Sequence, residues 1–280
     1  MSTAYVLSGG GAKGAFQVGV IQQLEKQGIK PDALYGTSVG ALNAAGYAYS
    51  GIDYMYNLWI DIEGKKWYKP WTPSADILSF NWSTLVGFSD GLYNLNPLAA
   101  QLNKHLVGPP TCEAVVCAVN LETGEVKYTS SKNTTREDFL KATIGSATIP
   151  TAMSPIDGVW VDGGVREQTP VMQAVLDGHE NIIIVSCNPL VPNSIDPWTM
   201  PGPFLKLINL GWRAVNDLME HQIFLNGFNP FRFPMAGSNV KFQVYAPDIL
   251  LMDTLEFDPV KIKNAIAAGQ VAVPITAPPF

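Results

Sequence analysis

Histidine is scarce in this chain. His105, His179 and His221 are the only three in 280 residues, so imidazole chemistry has few places to sit. Cysteine is equally rare. Cys112, Cys117 and Cys187 form no C-x-x-C pair and share no ligand spacing with the histidines. That argues against a zinc site or a disulfide framework and fits reduced thiols. Charged residues make up only 15 % of the chain, with a formal net charge of −6 and no cluster of Lys or Arg. An acidic chain without a basic patch is a poor partner for nucleic acid. No apolar stretch is long enough to span a bilayer, and no basic segment leads into an apolar run with a cleavage site. The expectation is a cytoplasmic protein, with peripheral membrane contact through apolar surface left open. Internal repeats, low-complexity tracts and long polar linkers are absent too, so residues 1–280 are expected to form one domain. Apolar residues at 47 % supply a large core.

Against these absences, one stretch stands out: Tyr35-Gly36-Thr37-Ser38-Val39-Gly40. It reads as a short apolar strand, a sharp turn and the start of an Ala- and Leu-rich helix from Val39 to Tyr49, ending near Ser50-Gly51. Gly36-Thr37-Ser38-Val39-Gly40 matches G-x-S-x-G, the strand–turn–helix elbow that lifts a serine hydroxyl out of a sheet. Gly36 and Gly40 flank Ser38 because the turn leaves no room for Cβ atoms. Ser38 also sits at a helix N-terminus, where N–H groups and the dipole favour negative charge.

Ala4-Tyr5-Val6-Leu7 is a short strand that runs into Gly9-Gly10-Gly11-Ala12-Lys13-Gly14, followed by a helix that Gly28 stops. The glycines allow two readings. As G-x-G-x-x-G they match a dinucleotide fingerprint, with Asp32 at about the spacing of a ribose-binding acid. Asp32, however, precedes the next strand, and a cofactor there would obstruct Ser38. A P-loop does not fit, because Lys13 precedes the last glycine and no Ser or Thr follows. The second reading is an oxyanion hole: Gly9, Gly10, Gly11, Ala12, Lys13 and Gly14 expose backbone N–H donors at a helix start, with the Lys13 charge nearby.

Residues 51–95 crowd aromatic side chains, among them Tyr54, Tyr56, Trp59, Trp67, Trp71 and Tyr93. They read as an irregular excursion that lines an acyl pocket or packs a long loop onto the core. Asn96-Pro97 opens a helix that carries His105 on its last turn, where the imidazole serves the dipole. Ala114–Val119 and Val126–Ser130 read as a strand pair, and Thr135–Thr143 as a helix. Val159–Val161 is a short strand leading into Asp162-Gly163-Gly164. Pro170–Leu176 starts a helix, His179 lies in a solvated turn, and Asn181–Cys187 is a buried parallel strand. Residues 188–238 hold a proline-rich loop and a helical pattern from Phe204 to Ile223, bearing His221: a lid, or a helix packed on the core. A late strand and a final helix complete 239–275.

Strands alternating with helices imply a mostly parallel sheet covered on both faces. Three strand-end loops then supply N–H donors, Ser38 and Asp162. No histidine occupies such a loop, so the economical arrangement is a dyad in which Asp162 takes the Ser38 proton directly. Asp162 would need a partly desolvated site to raise its pKa. These stretches resemble the patatin-like phospholipase family. The resemblance rests on Gly9-Gly10-Gly11-Ala12-Lys13-Gly14, on Gly36-Thr37-Ser38-Val39-Gly40 and on Asp162-Gly163-Gly164 followed by Thr169-Pro170. A Ser-x-x-x-Pro pattern ending at Pro150 is a further similarity, and the match spans residues 4–187. It implies a three-layer α/β/α sandwich and lipid acyl ester hydrolysis by Ser38 as nucleophile and Asp162 as base. It also implies an oxyanion hole in the glycine loop, chiefly at Gly10 and Gly11, and a lipid or ester substrate, with neither metal nor cofactor required. Glu167-Gln168 depart from the pattern, standing where many relatives carry two asparagines. Three alternatives stay open: a Ser-His-Asp esterase using His179 or His221, a nicotinamide-binding oxidoreductase holding its cofactor in the glycine loop, and a non-catalytic binding or storage protein of the same fold.

Overall fold

The computed structural model describes residues 1–61, 96–150, 153–190, 240–254 and 256–275. The aromatic stretch beyond Asp61, most of the proline-rich loop and the helical pattern with His221 lie outside the described residues. Within them, seven strands form one sheet: β1 (Thr3–Leu7), β2 (Ala33–Thr37), β3 (Glu113–Asn120), β4 (Val126–Ser130), β5 (Trp160–Asp162), β6 (Asn181–Val185) and β7 (Lys241–Tyr245). The order is β4-β3-β2-β1-β6-β7, with β5 also paired to β3. The five strands from β3 to β7 along that order are parallel, while β4 and β5 run antiparallel to β3.

Six helices accompany the sheet among the described residues: α1 (Ala15–Lys26), α2 (Val39–Ile60), α3 (Asn96–His105), α4 (Arg136–Ser146), α5 (Val171–Leu176) and α6 (Pro259–Gln270). The Ile-Ile-Ile-Val run of β6 is apolar throughout because both faces of the sheet are covered. Ile183 and Val185 join Tyr5, Leu7, Leu34 and Val116 in a core shared with Ile21 of α1, Ala44 of α2, Phe139 of α4 and Ile262 of α6. Ile182 and Ile184 turn the other way, packing with Val6, Tyr35 and Val115 against Val171 and Ala174 of α5. Helices on both sides of a mostly parallel sheet give the α/β/α layering expected from the alternation.

Two elements run longer than the sequence pattern suggests. α2 does not stop near Ser50: Gly51 adopts φ 75° and ψ 175°, bends the helix and lets it resume to Ile60. A glycine takes that backbone conformation without a Cβ penalty, so a residue that reads as a stop acts as a hinge point. Tyr54, Tyr56 and Trp59 are therefore helical, and the indole Nε1 of Trp59 donates to Asn43 Oδ1 at 3.0 Å. α4 starts behind Thr135, whose hydroxyl accepts from Asp138 N at 3.2 Å, and continues past Thr143 to Ser146. No described helix is long and apolar enough to cross a membrane.

The feature that builds the site is the shared edge of β3. β4 occupies one edge. On the other, β2 pairs along Glu113–Cys117 and ends with Thr37 opposite Cys117. β5 takes over that same edge from the opposite direction, ending with Asp162 opposite Ala118. Two chain ends distant in sequence thus meet head to head on consecutive residues of one strand.

Candidate active site

Ser38 follows β2 directly, in a backbone conformation of φ 56° and ψ −125°. A non-glycine residue there stores on the order of 1–3 kcal/mol of strain, and packing holds it. A Cβ on Gly40 would lie 2.3 Å from Leu7 O, and one on Gly36 2.2 Å from Gly40 O. Only glycine lets the first turn of α2 press onto β1 and β2, and that pressure forces the sharp corner. The Ser38 N–H donates to Ser146 Oγ at 2.9 Å, which anchors the corner to the end of α4.

A serine preceding a helix ordinarily accepts a hydrogen bond from the first turn. Ser38 makes no such side-chain cap. Its side chain stands beside the Asp162 carboxylate instead, close enough to favour that carboxylate's ionised form. Asp162 is only 5 % exposed. Its N–H donates to Thr148 O at 2.8 Å, and its Oδ1 accepts from Gly164 N at 2.7 Å. Burial disfavours the charged form and pushes the Asp162 pKa up to about 6, against the opposing pull of the nearby Ser38 hydroxyl and the bond from Gly164. Gly163 abuts β3: a Cβ there would lie 2.4 Å from Cys117 O.

The glycine loop lies beside this pair, a 3-10 turn over Gly11–Gly14 leading into α1. Its N–H groups are unequal. Gly9 N donates to Gln168 O at 2.9 Å, Ala12 N to Thr254 O at 2.8 Å and Lys13 N to Gly10 O at 3.3 Å. Gly10 and Gly11 N–H have no acceptor among the described residues, nor does the N–H of Val39, next to Ser38. From beneath, Gln17 Nε2 donates to Ser8 O at 2.8 Å, and Asn43 Nδ2 to Gly14 O at 3.0 Å. The loop carbonyls are thus occupied on the inner side. Lys13 is buried, its Cε 3.6 Å from where a Gly10 Cβ would stand.

The remaining candidates of the sequence sit elsewhere. His179 belongs to the amino-terminal edge of the sheet, where it bonds Ser2 Oγ at 3.1 Å and Tyr35 Oη at 3.0 Å. It is half-buried rather than solvated, and it lies across the sheet from Ser38, which corrects its candidacy as a base for that serine. Asp32 is at the same edge, accepting from Thr3 N at 2.7 Å, so it is not placed to bind a ribose over the glycine loop. His105 ends α3 and packs beside Tyr54. Among the described residues, no group of His, Cys, Asp and Glu could hold a metal ion.

Three residues of the site escaped the sequence reading as contributors: Ser146, Thr148 and Thr254. The Ser-x-x-x-Pro pattern marked Ser146, and the Glu167-Gln168 departure marked that loop. Thr148 and Thr254 contribute backbone carbonyls, which leave no mark in a sequence.

A serine on a strained elbow thus stands near a buried carboxylate and near N–H groups without an acceptor among the described residues. A profile described as Patatin-like phospholipase matches residues 5–175, more than half of the chain. The chain belongs to the patatin-like phospholipase family. It is also similar to lysophospholipase nte1 of Aspergillus terreus, with 57 % identity over 47 residues, which cover 17 % of this chain and 3 % of that protein. The NTE1 lysophospholipase of Mycosarcoma maydis is 50 % identical over 48 residues, again 17 % of this chain and 2 % of the relative. The chain therefore aligns with only a small part of these relatives. Among solved structures, VipD from Legionella pneumophila superposes with a TM-score of 0.48 at 15 % identity, covering 96 % of this chain and 65 % of that one. ExoU from Pseudomonas aeruginosa, solved with SpcU, gives 0.35 at 15 % identity over 79 % and 50 %.

Proposed function

We propose that this chain is a lipid acyl hydrolase that cleaves carboxylic esters through an acyl intermediate on Ser38. The observation that carries the proposal is the Ser38 hydroxyl beside a buried Asp162, next to the Gly10 and Gly11 N–H groups, which have no acceptor among the described residues. Ser38 Oγ attacks the acyl carbonyl while its proton passes to Asp162. The carbonyl electrons collect on the oxygen, which the Gly10 and Gly11 N–H groups receive. Collapse expels the alcohol, which takes the proton from Asp162. Water then attacks the acyl ester, giving a proton to Asp162, and the second collapse returns that proton to Ser38 and frees the fatty acid. Lipid esters are the substrate class, reached by contact with a lipid surface or by capture of single molecules. Lysophospholipids are the first head-group series to screen, given the fungal relatives.

Asp162 must be ionised to accept the proton. Activity should therefore fall as pH drops through about 6, where its carboxyl titrates, and level off above. The decisive test is labelling by a fluorophosphonate probe, with turnover of a medium-chain nitrophenyl ester in parallel. Wild type should label and turn over, Ser38→Ala should do neither, and Asp162→Asn should lose turnover. Full esterase activity in Ser38→Ala would end the proposal.

A further inference from the structure

We infer that Gln168 is a positioning residue that locks the loop bearing Asp162 to the loop bearing the Gly10 and Gly11 N–H groups; the inference rests on the Ser38–Asp162 reading proposed above. Gln168 follows the Asp162-Gly163-Gly164 turn and is 8 % exposed. It holds Gly9 twice. Its carbonyl accepts from Gly9 N at 2.9 Å, and its side-chain Nε2 donates to Gly9 O at 3.0 Å. One bond would set a distance; two bonds to both polar groups of one residue also set an orientation. The peptide that follows Gly9 carries the Gly10 N–H, so its direction is fixed by this grip.

The amide of Gln168 fills the wedge between the reacting groups. A Cβ on Gly9 would lie 3.2 Å from both Gln168 Nε2 and Ser38 Cβ. A Cβ on Gly164 would lie 2.7 Å from Gln168 Oε1 and 3.0 Å from Asp162 Oδ1. The segment is tied at its other end through Glu167. Thr37 Oγ1 donates to Glu167 O at 2.8 Å, Glu167 N donates to Gly163 O at 2.7 Å, and the Glu167 carboxylate accepts from the Tyr128 hydroxyl. β2, β4, the Asp162 turn and the glycine loop are therefore joined through two adjacent residues. Cys187 presses the loop from the far side, its Cβ 2.5 Å from a would-be Gly10 Cβ. Without the Gln168 donor, Gly9 O keeps only the local bond from the neighbouring Ser8 Oγ at 3.0 Å, and the Gly10 peptide is free to tilt away from the oxyanion.

Gln168→Met keeps the main-chain bond and nearly the same volume but removes the donor. Gln168→Glu keeps the shape and sets an acceptor against Gly9 O. Four quantities separate positioning from mere support: kcat, KM, the affinity of an alkyl boronic acid that forms a tetrahedral adduct on Ser38 Oγ, and the affinity of the product fatty acid. Misplacing aligned groups by about 1 Å costs on the order of 100-fold in rate. Both variants should lose about that much kcat and a similar factor of boronate affinity, with KM and fatty-acid affinity within about twofold. A structural role alone would lower the melting temperature and spare the ratio of boronate to fatty-acid affinity. A folded variant with kcat within about threefold of wild type overturns the inference. Should Gln168→Met melt early, the same ratio in Gln168→Glu, measured below its midpoint, decides. An active Ser38→Ala, or an unlabelled wild type, would refute the Ser38 reading itself. An inactive Ser38→Ala with unimpaired Gln168 variants refutes only the clamp.

Discussion

The two edges of the sheet carry polar clusters of similar composition and opposite character. At the amino edge, Ser2 Oγ bonds His179, His179 bonds the Tyr35 hydroxyl, and that hydroxyl donates to Asp177 Oδ2 at 2.7 Å. Serine, histidine and aspartate stand there in hydrogen-bonded series. At the carboxyl edge there is a serine and an aspartate with no histidine. Ser2, however, lies outside the left-handed region that Ser38 occupies, and Asp177 is exposed where Asp162 is buried. Around Ser2 the amides are engaged as well: Glu180 and Asn181 N–H both donate to Ser2 O, and Thr3 N–H donates to Asp32. On the proposed reading, the lesson is that residue types alone do not make a reactive serine. Strain that exposes the hydroxyl, burial that raises the carboxylate pKa and donors left without acceptors do.

The contrast can be broken most directly by removing each serine in turn. Ser38→Ala should lower ester turnover by about 10⁴-fold or more, whereas Ser2→Ala and His179→Ala should stay within about twofold of wild type. Equal losses from Ser2 and Ser38 would dissolve the distinction. Glycines sharpen it next. Gly40→Ala drives a Cβ into the Leu7 carbonyl and should cost about 3 kcal/mol or more of unfolding free energy in urea. Gly178→Ala, at φ 86° with open space around it, should cost about 1 kcal/mol through backbone strain alone.

Charge gives a third test. Folding raises the Asp162 pKa from 3.8 to about 6, so the folded state resists ionisation. Its stability contribution is fully present below pH 3.8 and is lost as pH rises through about 6. Asp162→Asn should therefore be more stable than wild type at pH 8, by about 1–3 kcal/mol, and should show no such gain at pH 3.5. A thermal melt at each pH reads the difference. At the other edge the sign is reversed. Burial lowers the His179 pKa, so stability is present above pH 6.5 and declines as pH falls through the depressed value. His179→Gln should flatten that decline, in the smallest of these effects, visible in melts between pH 7 and 4.5.

Much of this was readable beforehand, for identifiable reasons. Short apolar strands such as Ala4–Leu7 and Asn181–Val185 announce themselves because both faces of a parallel sheet are buried. The elbow is legible because its crowding admits only glycine at positions 36 and 40. The kinked extension of α2 was not, since Gly51 is a stop or a bend depending on packing that lies outside the local sequence. Nor was the division of labour in the glycine loop. Which N–H groups remain free depends on acceptors at Gln168 and Thr254, distant in the chain and joined to the loop only by the fold. His179 misled in the other direction, because a turn between a helix and a strand reads as solvated until Ser2 and Tyr35 are seen to close over it.

The edge of β3 acts as a ruler. Thr37, which leads into Ser38, and Asp162 are registered against Cys117 and Ala118, neighbours on one strand, so the two strand ends are spaced by a single backbone step of about 3.3 Å along β3. The connections between them carry no part of that measurement. Segments inserted between α2 and β3, or between β4 and β5, can lengthen, shorten or change composition while the pair stays in register. A single residue added inside β3 between Cys117 and Ala118 would part it. A fold built this way can vary its connecting segments while the ends of β2 and β5 keep their register on β3.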